Sequence, residues 1–194
     1  MKSVDFDDIV HWKKIIEGDI DSYKFFYEKY VDDLFSYGKK FLSDEEEVKD
    51  AIHDLFIDLY SYKSKLSKDI TVKYYLLFSL KNKIIANTKK KAFSLRFQHD
   101  IPGNVDLNQE EKCINKESDA ALLKRMHLEL DKLPDRQKEA VYLKYSQNLT
   151  YEEIARLMGV NTATCRTLIY RSIKQLRKSL NEIPLSTNFE FAFK

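Results

Sequence analysis

The chain has 194 residues, 43% of them hydrophobic, and contains only four glycines and three prolines. This composition is sufficient for one domain or two small ones, and the scarcity of turn-forming residues predicts an all-α fold rather than a sandwich or barrel. No apolar run approaches the ~20 residues that cross a bilayer, and "MKSVDFDDIV" lacks the pattern of a signal peptide. We therefore expect a cytoplasmic protein without membrane insertion.

The cysteines and histidines do not form a recognisable site. Cys113 and Cys165 stand alone without a CxxC motif, and the four histidines are too scattered for a typical zinc site. On the helix that carries it, Cys165 falls on the inward face, where a free cysteine usually fills space. The sequence predicts no disulfide framework, no metal and no cofactor.

Charge is segregated along the chain. Residues 1–60 hold 16 acidic and 8 basic residues, whereas residues 61–99 hold ten basic residues and one acidic residue, Asp69. A solvated surface usually intermixes the two signs, so this separation indicates two different partners, and the basic segment is expected to face a polyanion.

The N-terminal part predicts three helices. The first covers residues 5–17 and stops at Gly18, and the second covers about 20–42 with Asp19 or Asp21 as its cap. "SDEE" reads as a capping box with Ser43 as the N-cap of a third helix, "DEEEVKDAIHDLFIDLYSY". That helix has a polar face, which consists of Asp50, His53, Asp54 and Asp58.

A polar stretch from 61 precedes a fourth helix at about 71–92, after which periodicity fails around the Pro102-Gly103 pair. Helical periodicity returns near Ala120. We therefore expect two helical domains joined by a flexible linker. The expected bounds are 1–93 for the first domain, 94–119 for the linker, 120–182 for the second domain and 183–194 for a tail.

Residues 150–180 have the pattern of a helix-turn-helix. Thr150 and Glu153 form a capping box, Gly159 stands where the turn needs positive φ, and Asn161 can cap the second helix. The inward stripe of that helix is Cys165, Ile169, Ser172 or Ile173, Leu176 and Leu180. Its outward face is Thr162, Ala163, Arg166, Thr167, Tyr170, Arg171 and Lys174. Arginines and short hydroxyls at this place suit reading of the DNA major groove, whereas the alternative is an ordinary helical hairpin with a solvated basic face.

These motifs resemble those of one family. "LPDRQKEAVYLKYSQNLTYEEIARLMGVNTATCRTLIYRSIKQLRKSL" resembles region four of bacterial RNA polymerase sigma factors. "EEEVKDAIHDLFIDLY" is similar to the family's region-two core-binding helix, and "YYLLFSLKNKIIANTKKK" resembles its promoter-melting helix. With two domains only, the chain resembles the extracytoplasmic-function (ECF) type, and its Lys-, Tyr- and Asn-rich character suggests the Bacteroidetes branch.

The resemblance implies partners for the acidic helix. In the family this helix docks on the clamp helices of the largest subunit of core RNA polymerase, so Asp50, His53 and Asp54 would face that subunit. The family usually has glutamine where His53 stands, and histidine can also donate and accept hydrogen bonds. The resemblance further implies an anti-sigma factor as an inhibitory partner.

The resemblance also implies two DNA contacts. In region two, the loop at about 61–70 would capture a base flipped from the non-template strand of the minus-ten element, and the helix that follows would contact the strand beside it. The expected minus-ten contacts are Tyr75, Lys81, Asn82, Lys83, Lys89 and Lys90. Tyr75 stands where the family usually has tryptophan. Region four would read the minus-thirty-five element with Thr162, Arg166, Thr167, Tyr170, Arg171 and Lys174. Leu168 stands where an arginine is common.

The sequence is compatible with three functions. The sequence favours a non-enzymatic ECF-type sigma factor that binds core polymerase, recognises a promoter and nucleates its opening. The alternative is a two-domain helix-turn-helix regulator that never binds polymerase. An enzyme using Asp50, His53 and Asp54 as metal ligands or acid-base groups is disfavoured, because one carboxylate-rich helix face lacks a second ligand helix.

Overall fold

The computed structural model describes residues 6–67, 70–96 and 125–180, with side chains up to residue 88 in the second range and up to 179 in the third. Within these ranges every regular element is helical, which confirms the all-α prediction. No helix in the described ranges is long and apolar enough to cross a membrane. The chain divides into two compact units, Met1–Gln109 and Glu110–Lys194.

The first unit is a four-helix assembly. Its elements are α1 (Phe6–Glu17), α2 (Ile20–Gly38), α3 (Glu45–Ser61), a 3-10 turn (Lys63–Lys65) and α4 (Val72–Arg96). Helix α2 packs against α1, α3 and α4, and α3 also packs against α4. The largest buried side chains of this unit include Trp12, Phe26 and Tyr37. These aromatic rings therefore form much of a core that holds α3 and α4 side by side.

Local sequence signals set most of the helix ends in this unit. Gly18 has a φ of 93°, and the Asp19 carboxylate accepts a hydrogen bond from the Ser22 backbone N–H at 3.0 Å, as the sequence predicts. The predicted cap of α3 is wrong by one residue. Asp44, rather than Ser43, is its N-cap, because the Asp44 carboxylate accepts from the Glu46 N–H at 2.9 Å.

Helix α2 ends earlier than the periodicity predicts, at Gly38 instead of residue 42. The backbone N–H groups of Phe41 and Leu42 both donate to the Gly38 carbonyl, which closes a turn there. A Cβ atom at position 38 would lie 2.6 Å from Cγ1 of Val48. Glycine thus permits a close approach between the end of α2 and the start of α3.

The second unit contains four helices in its described part. They are α5 (residues 125–131), α6 (Asp135–Tyr145), α7 (Tyr151–Met158) and α8 (Thr162–Leu180). Helix α8 packs against α6 and α7. A buried apolar cluster joins the start, middle and end of this unit and consists of Met126, Leu130, Leu133, Val141 and Leu176. This cluster fixes α8 on its inner side and leaves the other side to solvent.

Several sequence predictions concern residues beyond the described ranges. Helix α4 continues to Arg96, so the first three residues of the predicted linker 94–119 are helical. The rest of the linker and the tail 183–194 lie outside the described residues, as do the side chains of Lys89 and Lys90.

Candidate nucleic-acid interface

The turn between α7 and α8 has the geometry that its sequence predicts. Thr150 Oγ1 accepts from the Glu153 N–H at 3.2 Å, and the Glu153 carboxylate accepts from the Thr150 N–H at 2.7 Å, which completes the capping box. Gly159 has a φ of 63°, and a Cβ there would meet no atom within 4 Å. Conformation rather than space therefore requires this glycine. Asn161 Oδ1 accepts from the Thr164 N–H at 2.7 Å and caps α8.

The predicted inner and outer faces of α8 are both observed in the described side chains. Cys165, Ile169, Ser172 and Leu176 are buried. The outer face carries the predicted DNA readers, namely Thr162, Arg166, Thr167, Tyr170, Arg171 and Lys174, and all are exposed except Thr162, which is half-buried. Tyr170 is 67% exposed on this face and presents both a ring and a hydroxyl to solvent. An exposed aromatic ring among arginine and lysine side chains suits an anionic partner with flat surfaces on which the ring can stack.

Two side chains of α7 contact Arg166, which remains 63% exposed. Its Nη2 lies 3.5 Å from a carboxylate oxygen of Glu152, and its guanidinium carbon lies 5.3 Å from the centre of the Tyr151 ring. Lys144 Nζ lies 4.8 Å from the centre of the same ring. Arg166 is thus presented from the N-terminal turns of α8 with part of its conformational freedom already lost. Sequence reasoning missed this, because the contacts depend on how α7 crosses α8.

Cys165 is a packing residue, as its place on the stripe indicates. It is fully buried, and desolvation raises the pKa of its thiol. A raised pKa leaves less of the reactive thiolate at neutral pH. Beside it, Ser172 Oγ lies 3.2 Å from Oε1 of Gln137 and so links α8 to α6.

In the first unit, the polar face of α3 is open to solvent. Asp50, His53 and Asp54 are all exposed. The described residues contain no group of histidine, cysteine and carboxylate side chains that could hold a metal ion.

Exposed aromatic rings extend this face toward α2. The Tyr27 and Phe56 ring centres are 5.3 Å apart, and those of Tyr23 and Tyr60 are 5.4 Å apart, each pair in edge-to-face contact. Tyr27 and Tyr60 are 45% and 49% exposed, and Ile57 is 49% exposed. Acidic groups next to uncovered aromatic rings are typical of a protein-binding surface. The sequence suggested only the acidic part, because the ring pairs arise from the packing of α2 on α3.

An open cavity of about 450 Å³ lies between α3 and α4. Its lining consists of Leu55, Asp58, Leu59, Tyr62, Tyr75, Phe78, Ser79, Asn82, Lys83, Ala86 and Asn87. Three of the residues predicted to contact minus-ten DNA, Tyr75, Asn82 and Lys83, therefore come together in one place. The lining offers aromatic and amide groups side by side, which suits a planar ring with polar edges.

Two of the predicted DNA contacts also have roles inside the fold. Tyr75 is half-buried, and its ring meets Trp12 with centres 5.3 Å apart. Desolvation raises the pKa of the Tyr75 phenol, and a hydrogen bond with Ser79 acts in the opposite direction. Lys83 Nζ lies 2.7 Å from Asp58 and 3.9 Å from Asp54. The Lys83 charge therefore also has a partner inside the fold, because α3 supplies it with carboxylates, and its contact with DNA remains a prediction.

Lys81 also packs within the first unit. Its Nζ lies 5.2 Å from the centre of the Phe41 ring. Lys81 therefore also has a contact inside the fold, and its contact with phosphate remains a prediction.

Comparison with known proteins gives consistent results. Residues 123–176 match the family described as Sigma-70, region 4. The chain is 41% identical over 61 residues to RNA polymerase sigma factor SigV of Bacillus subtilis, a match that spans 31% of this chain and 37% of SigV. It is 24% identical over 183 residues to the ECF RNA polymerase sigma factor SigW of the same organism, a match that covers 88% of this chain and 95% of SigW.

A solved structure supports the fold. The sigma factor RpoE of Bartonella quintana, in complex with the anti-sigma factor NepR, superposes with a TM-score of 0.58 at 16% identity. The superposition covers 83% of this chain and 98% of that one. The helix-turn-helix geometry, the region 4 match and the near full-length match to SigW agree with this fold, and they identify residues 123–176 as a Sigma-70 region 4 domain in a chain that is similar to ECF sigma factors.

Proposed function

We propose that the chain binds core RNA polymerase in the cytoplasm, directs it to a class of promoters and nucleates strand opening, with no catalytic step of its own. The observation that carries this proposal is that one helix, α3, contributes both to an exposed acidic and aromatic face and, through Leu55, Asp58 and Leu59, to the open cavity that it shares with α4. A repressor or activator needs the DNA-binding unit but has no need for such a first unit.

The polymerase surface is the exposed face of α3 with its aromatic border. Asp50, His53 and Asp54 supply charge and hydrogen bonds, while Tyr27 and Tyr60 supply apolar area at low conformational cost. By resemblance to the family, the largest-subunit clamp helices are the counterpart.

The cavity between α3 and α4 is the site for a base flipped from the non-template strand. Unstacking a base costs a few kcal/mol, and aromatic contact can return ~1–3 kcal/mol per base, so capture offsets opening without ATP. Tyr62 is 54% exposed at the cavity and is available for stacking. Asn82 offers an amide to the base edge, and Lys81, Lys83, Lys89 and Lys90 are assigned to phosphates.

The outer face of α8 reads the minus-thirty-five element. Arg166 is the residue best placed to bond a guanine edge, because its neighbours already orient it. Thr167 Oγ1 donates to the Ala163 carbonyl at 2.9 Å, which leaves its oxygen free only to accept. Thr162, Tyr170, Arg171 and Lys174 are assigned to flanking bases and phosphates.

An anti-sigma factor is the proposed regulator of this chain. The RpoE structure contains such a partner, and the exposed acidic and basic surfaces here would both need shielding from polymerase and DNA in the inactive state.

Reversing the charge of Asp50 and Asp54 tests the docking surface. The double change to arginine should abolish co-purification with core polymerase. It should lower the melting temperature only slightly, because both side chains are exposed and Lys83, which lies 3.9 Å from Asp54, keeps Asp58 as its nearer partner. The matched control reverses Glu28 and Asp32, two exposed acids with the same spacing on α2, and should retain binding. If the Asp50 and Asp54 variant still binds polymerase, the docking assignment is wrong. If the unmodified chain does not bind, the helix-turn-helix regulator becomes the better reading.

A further inference from the structure

Trp12 is the chain's single tryptophan and connects α1 to the segment that follows the 3-10 turn. Its indole N–H donates to the Ser67 carbonyl at 2.9 Å, across 55 positions of sequence. Trp12 is only 1% exposed. A buried indole N–H without a partner is unfavourable, so this bond fixes the loop after Lys63–Lys65 against α1.

The same ring also supports a wall of the cavity. Its centre lies 5.3 Å from that of Tyr75, with the two planes 64° apart. Tyr75 lines the cavity, as does Ser79, with which the phenol forms a hydrogen bond. Trp12 itself does not line the cavity. It therefore touches both the loop beside the cavity and an aromatic ring of its wall, and it can act there only through them.

We propose that Trp12 is a positioning residue for base capture, and this rests on the proposed role of the cavity. Its hydrogen bond ties Ser67, five residues after the cavity-lining Tyr62, to α1, and its ring packs against the Tyr75 ring of the cavity wall. A cavity lined by α3, α4 and Tyr62 distinguishes bases best when its lining side chains are already ordered, because side chains that are ordered only on binding reduce the binding free energy. Trp12 removes that cost in advance.

The variant Trp12→Phe tests the proposal, since it keeps a buried ring but removes the N–H donor. The measurement is binding of the full-length chain to single-stranded oligonucleotides that carry each of the four bases, or an abasic site, at one position. The preferred base should lose about threefold to tenfold of its advantage over the abasic site, the range expected for one hydrogen bond. Binding to the abasic strand should stay the same.

Phe26→Leu is the matched control. Phe26 packs on the Trp12 ring with centres 6.0 Å apart and is fully buried, but it does not line the cavity. This variant should lower the melting temperature at least as much as Trp12→Phe and still keep the full discrimination. If Trp12 only stabilised the fold, base discrimination would fall in proportion to the loss of stability in both variants.

Fluorescence gives a second readout, because all tryptophan emission of the unmodified chain comes from Trp12. The strand with the preferred base should shift this emission, and the abasic strand should not. Equal discrimination by Trp12→Phe and the unmodified chain would overturn the positioning role alone. An unmodified chain that does not distinguish any base from the abasic site would overturn the proposed cavity function, and the positioning role with it.

Discussion

The ion pair between Asp58 and Lys83 makes a quantitative prediction about DNA binding by the free chain. The two groups lie 2.7 Å apart at the cavity, with side-chain exposures of 51% for Asp58 and 18% for Lys83. A phosphate that binds Lys83 must displace the Asp58 carboxylate first. Asp58→Asn should therefore strengthen binding to single-stranded DNA.

The size of the effect follows from the exposure of the pair. Because half of the Asp58 side chain is open to solvent, which screens the pair, we expect a contribution of about 1 kcal/mol, which corresponds to about fivefold in affinity. Releasing Lys83 to one phosphate should also steepen the plot of log affinity against log salt by about 0.7. Titration of a labelled oligonucleotide at several salt concentrations measures both quantities.

Two further variants separate this effect from a general loss of negative charge. Asp50→Asn removes the same charge from the same helix. Asp50 lies eight residues from Asp58, or about 12 Å along the helix, and this distance exceeds the electrostatic screening length of about 8 Å at physiological salt. Asp50→Asn should leave affinity unchanged. In a Lys83→Ala background, Asp58→Asn should have no effect. Equal gains from Asp50→Asn and Asp58→Asn, or an unchanged salt slope, would refute the reasoning.

The remaining predictions concern one DNA reader and one packing position. Arg166→Ala should cost ~1–3 kcal/mol of duplex binding and relax preference at one base pair, whereas Lys174→Ala should weaken all sequences alike; equal losses on specific and random duplex would make Arg166 a backbone contact. Gly38→Ala should lower stability by ~1–3 kcal/mol in thermal unfolding, because its Cβ would lie 2.6 Å from Val48. Adding Val48→Ala should remove part of that effect, and a stabilised Gly38→Ala protein would contradict the close approach.

Local signals made much of the DNA-binding unit predictable from sequence. The capping box at Thr150 and Glu153, the turn at Gly159 and the cap at Asn161 each depend on residues within a few positions of one another. The outer face of α8 follows from helical periodicity alone. These interactions form within one or two helical turns, so the sequence contains all the information that they need.

The sites in the first unit depended on packing and were only partly predictable. Tyr75, Asn82 and Lys83 were assigned by resemblance, but the cavity that unites them also needs Leu55, from α3. The early end of α2 and the partners of Lys83 likewise depend on how neighbouring helices approach. The sequence pattern of one helix does not indicate which residue of another helix packs against it. The end of α2 and the partners of Lys83 were therefore not predicted.

The proposed assignments give α3 two roles in one rigid element. Asp50, His53 and Asp54 are exposed for polymerase, and Leu55 and Asp58, one and four residues after Asp54, line the cavity for the base. Because a helix moves as a unit, polymerase that holds the outer face also fixes the position of the cavity. A captured base is then held at a defined distance from the polymerase surface, without any change in the fold of the first unit. Docking and strand opening are thereby linked through the geometry of a single helix.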